Sequence, residues 1–501
     1  MKAFENETIL AAMYANGVRV FSRSIKYHRP RGFFCAIGRC SSCMMEVDGV
    51  PNVRTCITKV KDGMHLRRQK TFADKFAPFL NLLNLSPLAY NRMFTKPGII
   101  YKPAMKIIRQ FTGQGSFSKK IEESGEEIMG IDDEFSTELL IVGGGPAGLS
   151  AALEAGQRCD DVIVIDDKEQ LGGQLNRQTH MFFSDVKYAA GKRGFKLGKE
   201  MVEKISKLKT VRVLPKTNAI AYYPMENKML MLRSTDRGLM VKAKKYIVAV
   251  GAYEKTLLFE NNDLPGIYGA GGVQTLLNIY GVKPGKKGLM LGTGNVSLIV
   301  AYQLLQAGIG VEAIVAPSFR RVSGYLVHAA KIRRHGVPII TRHTILRALG
   351  KQRVTGALIT ELDEKYRPIE GTEKRLDCDF ICMGVGLTPS YDLIQLFNPK
   401  MVYSSELGGF VPVRDMQFRF AENAYIAGDC GGVEEATTAV LEGGLAGLYA
   451  ARSLGYADEE VSAKIDEYEH ALEEDRGSPF SSDIKAALQK ITVENIEEVI
   501  K

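Results

Sequence analysis

The chain has 501 residues, 45% hydrophobic and 25% charged, with a net charge of +9 at neutral pH. Such values are ordinary for soluble proteins, and the length predicts about three domains with several buried cores. No long Lys/Arg tract and no aromatic–basic alternation accompanies the positive charge, which excludes a nucleic-acid-binding class.

Basic blocks at residues 19–31 and 92–119 and acidic blocks at 122–134 and 458–475 read as solvated faces, with partner docking as the alternative. The longest apolar stretch, LLIVGGGPAGLSAALEAG, carries a glycine cluster and Glu154, so it reads as strand, turn and helix rather than as a membrane span. No cationic leader with a small-residue cleavage site opens the sequence. Cys159, Cys378, Cys382 and Cys430 are scattered rather than set out as a disulfide framework. The expected location is the cytoplasm, peripheral to a membrane only through a complex.

The first strong signal is CAIGRCSSCMMEVDGVPNVRTC, residues 35–56, with four of the eight cysteines spaced C-x4-C-x2-C-x12-C. A [2Fe–2S] cluster needs four thiolates on two irons, three from one tight loop and the fourth from a neighbouring strand. Gly38 and the Ser41–Ser42 pair are small enough for the backbone to wrap around sulfide, and MMEVDGV reads as a strand and turn that bring the chain back to Cys56. Two rivals stay open. Cys40-Ser41-Ser42-Cys43 has the spacing of a redox dithiol but not its strand-to-helix setting. Four thiolates also suit structural zinc, although zinc sites usually present two separated C-x2-C knuckles. The cluster is the preferred reading, with Cys35, Cys40, Cys43 and Cys56 as its ligands. Arg31, Arg39, Lys26 and Arg54 surround it with positive charge, which favours a reduced cluster.

Residues 69–135 follow as a connection with helical spacing broken by prolines. Next, LLIVGGGPAGLSAALEAGQRCDDVIVIDD (139–167) runs an apolar strand into Gly143-x-Gly145-x-x-Gly148, then a helix and a second strand ending at Asp166. Gly143 permits the turn, Gly145 lets backbone approach pyrophosphate, and Gly148 lets helix pack on strand. Asp166 is placed for the adenosine ribose hydroxyls. Pro146, Ala147, Asp167, Gly173, Gln174 and Gly251 complete the expected lining. Two later segments favour FAD: LGGQL (171–175) on the pyrophosphate side, and AENAYIAGDCGG (421–432), whose Gly428-Asp429 faces the ribityl chain or pyrophosphate. The helix after Asp429 would aim its N-terminus at a flavin.

Between them, residues 286–317 repeat strand, turn, helix and strand around Gly292-x-Gly294-x-x-Ser297. Ser stands for the third glycine and Ala316 where the ribose-binding acid belongs. Arg320 and Arg321 offer a 2′-phosphate alternative, but a structural lobe that no longer binds nicotinamide is preferred. The tail, 456–501, reads as surface helices with Val461, Ile465, Tyr468 and Leu472 at helical intervals.

These motifs resemble known families. The cysteine opening resembles plant-type ferredoxins, and its short gap to the fourth cysteine resembles the succinate dehydrogenase iron–sulfur subunit. With ANGVRVFSRSIKYHRPRGFFC it is more similar to the ferredoxin-like domain of hydrogen cyanide synthase, opine oxidases, heterotetrameric sarcosine oxidase and archaeal dye-linked L-proline dehydrogenase. The remainder resembles the pyridine nucleotide–disulfide reductase fold, one dinucleotide lobe inserted into another, but without the redox C-x-x-C. The resemblance implies an α/β two-dinucleotide-binding-domain flavoprotein preceded by a β-grasp [2Fe–2S] domain. It divides the chain into a cluster domain (1–68), a helical linker (69–135), an FAD lobe in two parts (136–262 and 376–455), an inserted NAD-type lobe (263–375) and a helical tail. The β-grasp normally opens with a hairpin, whereas MKAFENETILAAMYANG reads as starting at the second strand.

No nucleophile elbow, paired carboxylates or clustered histidines mark a substrate site, so no catalytic residue is assigned. The family implies an electron-transferring α subunit of a heteromeric amino- or imino-acid dehydrogenase. L-Proline stands ahead of sarcosine, hydroxyproline and opines as substrate. A partner β subunit of the D-amino-acid-oxidase type would carry its own FAD. Further implications are FMN at the interface, ATP or NAD in place of FAD, and an additional small iron–sulfur subunit. The alternatives are a self-contained NAD(P)H:acceptor reductase and a redox-silent scaffold subunit.

Overall fold

The computed structural model describes residues 1–23, 29–69, 131–182, 190–233, 237–319, 322, 324–478 and 481–500. Most of the connection expected to be helical, residues 70–130, lies outside this set, and residues 131–135 open a strand, Ile131–Val142. The described residues of 1–126 and 254–385 form one compact unit, and those of 127–253 and 386–501 a second.

In the first unit the chain opens on a helix, Ile9–Ala15, and not on a strand. Thr8 caps it, its hydroxyl accepting the Ala11 N–H at 3.3 Å. Every residue from Ile9 to Tyr14 is buried, and the large side chains Ile9, Leu10, Met13 and Tyr14 stand at helical spacing, which overrides the strand expected at that place. Thr8 makes only an isolated bridge to Lys59. A three-stranded antiparallel sheet follows, in the order Val50–Arg54, Met44–Val47, Leu66–Arg67. Asp48 and Gly49, both at positive φ (50° and 82°), make the hairpin turn inside it. The rest of the unit is a five-stranded parallel sheet, in the order Ile267–Gly269, Phe380–Met383, Lys287–Leu291, Gly310–Val315, Ile339–Ile340. A three-stranded antiparallel sheet lies beside it in sequence, His343–Leu349, Gly356–Glu361 and Lys374–Leu376.

The second unit is built on an eight-stranded sheet. Its parallel centre runs Ala424–Ile426, Arg237–Val248, Ile131–Val142, Val162–Ile165, Val211–Leu214. Leu139–Val142 and Val162–Ile165 are buried at every position, as parallel strands covered on both faces must be. One face packs the helices Pro146–Gly156, Ala436–Ser453 and Glu459–Asp475. The other packs the hairpin strand Lys228–Arg233 through Met229 and Met231. The last of those helices belongs to the tail expected on the surface; its Val461, Ile465, Tyr468 and Leu472 are buried in the same core as Leu149 and Leu445.

Candidate functional site

The cysteine loop is shaped by backbone that turns left-handed at Ala36 (φ 53°) and Gly38 (φ 82°). Cys35, Cys43 and Cys56 are buried, while Cys40 keeps part of its surface open. The Cys40 N–H donates to Cys35 Sγ at 3.3 Å. Side chains tie the loop down on both sides. The Thr55 hydroxyl donates to the Cys43 carbonyl at 2.7 Å, and the Ser22 hydroxyl to the Ser42 carbonyl at 2.9 Å. The hairpin Met44–Arg54 then delivers Cys56, so the strand-and-turn expectation for MMEVDGV matches what is seen.

Hydrogen bonds join the thiols in pairs: Cys35 with Cys40, Cys35 with Cys56, and Cys43 with Cys56. Cys35 is held well below the ordinary thiol range by hydrogen bonds from Cys40 first and Cys56 next, helped by the N–H groups of Cys40 and Ile37. Paired thiols with backbone N–H groups aimed at sulfur fit a cluster that divides four thiolates between two irons.

The loop does not stand alone. Phe33 stacks on Tyr268 with centroids 4.6 Å apart and planes 18° apart. The Tyr14 hydroxyl donates to the Pro284 carbonyl and accepts from Tyr268, each at 2.6 Å. Gly269 N–H donates to the Phe34 carbonyl at 3.2 Å. A Cβ on Gly272 would stand 2.3 Å from that same carbonyl oxygen, so only glycine lets the two backbones meet there. The glycines of YGAGG (268–272) are the only sequence signal of this contact, and they do not say what approaches.

In the second unit, Gly143 turns at φ 109°, and a Cβ on Gly148 would stand 1.7 Å from its carbonyl oxygen. The roles expected for these two positions are therefore those the backbone imposes. Gly145 is open: a Cβ there would meet nothing nearer than Gly173 Cα at 4.0 Å. Pro146 is the first residue of the helix, where its missing N–H costs nothing. Asp166 ends its strand and receives the Gly144 N–H at 2.7 Å and the Lys168 N–H at 2.8 Å. Burial raises its pKa, and exposed Asp167, ion-paired to Lys168, adds to that rise. The LGGQL segment crosses the turn, with Gly172 N–H on the Gly144 carbonyl at 2.8 Å and Gly173 beside Gly145, and Gln174 follows in a short 3-10 turn. Gly428 lies against Ala147, and Gly251 stands two residues beyond Ala249, whose carbonyl meets Gly143. The structure thus gathers Gly143, Gly145, Pro146, Ala147, Gly148, Asp166, Gly173 and Gly428 around one turn.

Asp429 is half-buried, and burial pushes its carboxyl up to about 7, with Glu435, Glu434 and Glu442 adding to the rise. Beneath it lies a network that sequence reasoning missed. Glu442 accepts the Gly428 N–H at 2.9 Å, Arg414 Nη2 at 2.8 Å and Arg476 Nη2 at 2.6 Å. Arg476 also holds Glu434, its Nε to Oε2 at 3.0 Å. Arg476 comes from the tail, so the tail helps fix the Gly428–Asp429 loop. Cys430 packs as an inert thiol, its S–H on the Val248 and Ala427 carbonyls and its pKa pushed up to about 12 by burial.

The inserted lobe repeats the turn at Gly292 (φ 102°). Ser297 is buried, and its hydroxyl donates to the Gly384 carbonyl at 2.9 Å. Ala316 is buried at the strand end, while Arg320 and Arg321 lie outside the described residues, as does Lys26. Cys378 and Cys382 are both buried, with thiols raised by that burial. Arg39 and Arg54 are exposed and Arg31 is half-buried. No helix among the described residues is long and apolar enough to cross a membrane.

Comparison with known proteins places these features. Residues 1–71 match the family described as 2Fe-2S iron-sulfur cluster binding domain, and residues 137–443 the family described as pyridine nucleotide-disulphide oxidoreductase. The chain is 30% identical over 338 residues to the alpha subunit of sarcosine oxidase from Rhizobium meliloti (strain 1021), covering 63% of this chain and 33% of that one. It is 27% identical over 343 residues to an opine oxidase subunit from the same organism, covering 64% and 72%. It therefore spans about a third of the sarcosine oxidase subunit's length. A solved structure of L-proline dehydrogenase from P. horikoshii superposes with a TM-score of 0.65 over 94% of this chain and 74% of that one, at 23% identity, a likeness of fold. With its second family match extending over more than half its length, the chain belongs to the pyridine nucleotide-disulphide oxidoreductase family and carries a 2Fe-2S iron-sulfur cluster binding domain ahead of it.

Proposed function

We propose that the chain is the electron-transferring α subunit of a heteromeric flavin-dependent amino- or imino-acid dehydrogenase, with L-proline as the first substrate to test. The C–N bond would be oxidised on a partner β subunit of the D-amino-acid-oxidase type that carries its own FAD. One observation carries the reading. Four thiols meet in pairs in a chain whose glycine turn has Asp166 in place, while the remaining described cysteines are buried and raised by burial. Such a chain is equipped to hold electrons but has no dithiol to reduce disulfides. The relatives are named as subunits of sarcosine and opine oxidases, which supports the heteromer.

Cys35, Cys40, Cys43 and Cys56 would hold the [2Fe–2S] cluster. Gly145, Asp166 and the Gly428–Asp429 loop would hold FAD, with ATP or NAD as the other occupants of the same turn. A bound flavin supplies exchange between two-electron and one-electron carriers; the cluster supplies one-electron carriage. The chain's own residues orient and exclude: open Gly145 admits a pyrophosphate, Asp166 receives hydroxyl donors, and Glu442 keeps Gly428 fixed through its N–H. A cytoplasmic location, an FMN at the interface with the partner and a further small iron–sulfur subunit belong to the same proposal.

Native mass spectrometry of the complex purified from its own cells tests it. The expected result is a stoichiometric flavin-carrying partner, with two irons and two sulfides retained on this chain and a nucleotide released from it. L-Proline should bleach the complex's flavin faster than sarcosine, hydroxyproline or opines. A homo-oligomer without partner, whose FAD is bleached by NADPH or NADH, would overturn the reading in favour of a self-contained reductase.

A further inference from the structure

The cysteine loop has two unlike sides. One is closed: Phe33 and Phe34 lie against Tyr268, Gly269 and Gly272, backbone to backbone. The other is open and basic. Cys40 is the only one of the four cysteines that is not buried, and its neighbours Arg39 and Ser41 are exposed. Arg54, exposed and two residues before Cys56, stands opposite Met44 at the cysteine end of the hairpin. Ile57, 40% exposed, covers Gly38 at the same edge, where a Cβ on that glycine would stand 3.0 Å from its Cδ1.

Charge is polarised along the hairpin. Asp48 lies at its turn, the end away from the cysteines, where it accepts the His65 N–H, and Glu46 is committed to Arg67 at 4.0 Å. Residues 1–69 hold 12 Lys and Arg against 5 Asp and Glu. That surplus of seven makes up most of the net +9 of the whole chain. An apolar residue rimmed by cations, on the side where a ligand cysteine reaches solvent, is the composition of a transient electron-carrier interface. Such faces are small and find their partners by charge.

We infer that the Arg39–Cys40–Arg54–Ile57 edge is the docking face for an acidic electron-carrier protein. The inference rests on the cluster assignment to the four cysteines, and it adds the side on which that cluster meets its partner and the charge of the partner. Two cations beside the open ligand steer a negative face onto this edge and disfavour a basic one.

The test uses the full-length chain with its cluster and two probe proteins, soluble cytochrome b5 with an acidic face and cytochrome c with a basic one. Equilibrium binding is measured by biolayer interferometry at about 20 mM and about 300 mM salt, which bracket long and short screening lengths. Cytochrome b5 is expected to bind about tenfold or more tightly at the lower salt, and to lose about tenfold in an Arg39→Glu/Arg54→Glu double variant, while cytochrome c gains. The charge-matched control Lys199→Glu/Lys204→Glu, on the other unit, should leave binding within about twofold. Equal binding of both cytochromes, wild-type affinity in the Arg39/Arg54 variant, or equal loss in the control would each overturn the docking face. An Arg39→Gln/Arg54→Gln pair repeats the measurement if the double Glu variant loses its visible spectrum. A wild-type chain lacking the iron–sulfur absorption would instead sink the cluster assignment, before any binding is measured.

Discussion

The chain carries two glycine turns of the same design, and they differ in what they keep. At Gly143–Gly148 the third glycine is forced by packing, because a side chain there would run into the turn's own carbonyl at 1.7 Å. At Gly292–Ser297 the helix supplies a serine, and the room is surrendered by the facing strand: a Cβ on Gly384 would stand 2.1 Å from Ser297 Oγ. Both turns leave the middle glycine open, since nothing lies within 4 Å of a Cβ on Gly294. The strand ends then separate them. Asp166 waits with a carboxylate fixed by two N–H groups, whereas Ala316 offers nothing to a ribose. Close packing of helix on strand and a carboxylate at the strand end are therefore separable features: both turns keep the first, and the second is present at Asp166 and absent at Ala316.

Five substitutions break or sharpen that contrast. Gly148→Val should be the most damaging, at roughly 3 kcal/mol or more, since backbone and not a flexible side chain must yield; thermal melts together with loss of co-purified nucleotide would show it. Asp429→Asn should remove a pH dependence from the nucleotide-free unit. The folded carboxyl titrates near 7, raised by burial from the ordinary range. Its protonated form favours the fold fully below about pH 4, and that contribution, on the order of a few kcal/mol, is lost as pH rises through 7. Melting temperatures from pH 4.5 to 8 should fall for wild type and stay flatter for the variant.

Asp166→Ala should weaken the adenosine ligand by roughly tenfold to a hundredfold, as expected for lost hydrogen bonds to a charged group. Calorimetric titration of FAD, ATP and NAD into the stripped protein gives that number. The matching change Ala316→Asp in the inserted lobe should create no nicotinamide affinity if the lobe is purely structural. Smallest is Ser297→Ala, about 1 kcal/mol from the partly buried Gly384 carbonyl left without its donor, visible in denaturant midpoints with ligand binding at Asp166 unchanged.

Much of both sites was legible because their logic is local. C-x4-C-x2-C-x12-C and the glycine turn with its strand-end acid are set by residues close together in sequence, and each has a geometry few other residues satisfy. The opening helix was misread because the family's hairpin was expected, although Ile9, Leu10, Met13 and Tyr14 carry helical spacing. What stayed invisible joins distant residues. Phe34 meets Gly272, and Arg476 reaches Glu442 and through it Gly428. No periodicity marks such pairs, and an arginine in a charged tail looks solvated until the fold buries it.

The shared core of Tyr14, Phe33 and Tyr268 has a consequence for the order in which the protein is made. Its first 69 residues leave the ribosome long before the strand Phe380–Met383, whose Phe380 and Cys382 belong to the same core. At roughly 5–20 residues per second, that delay is on the order of half a minute. The cysteine loop spends that interval with one wall missing, so, if it holds the proposed cluster, nascent chains halted before residue 380 should retain less iron than chains released after it, as measured on stalled ribosomes.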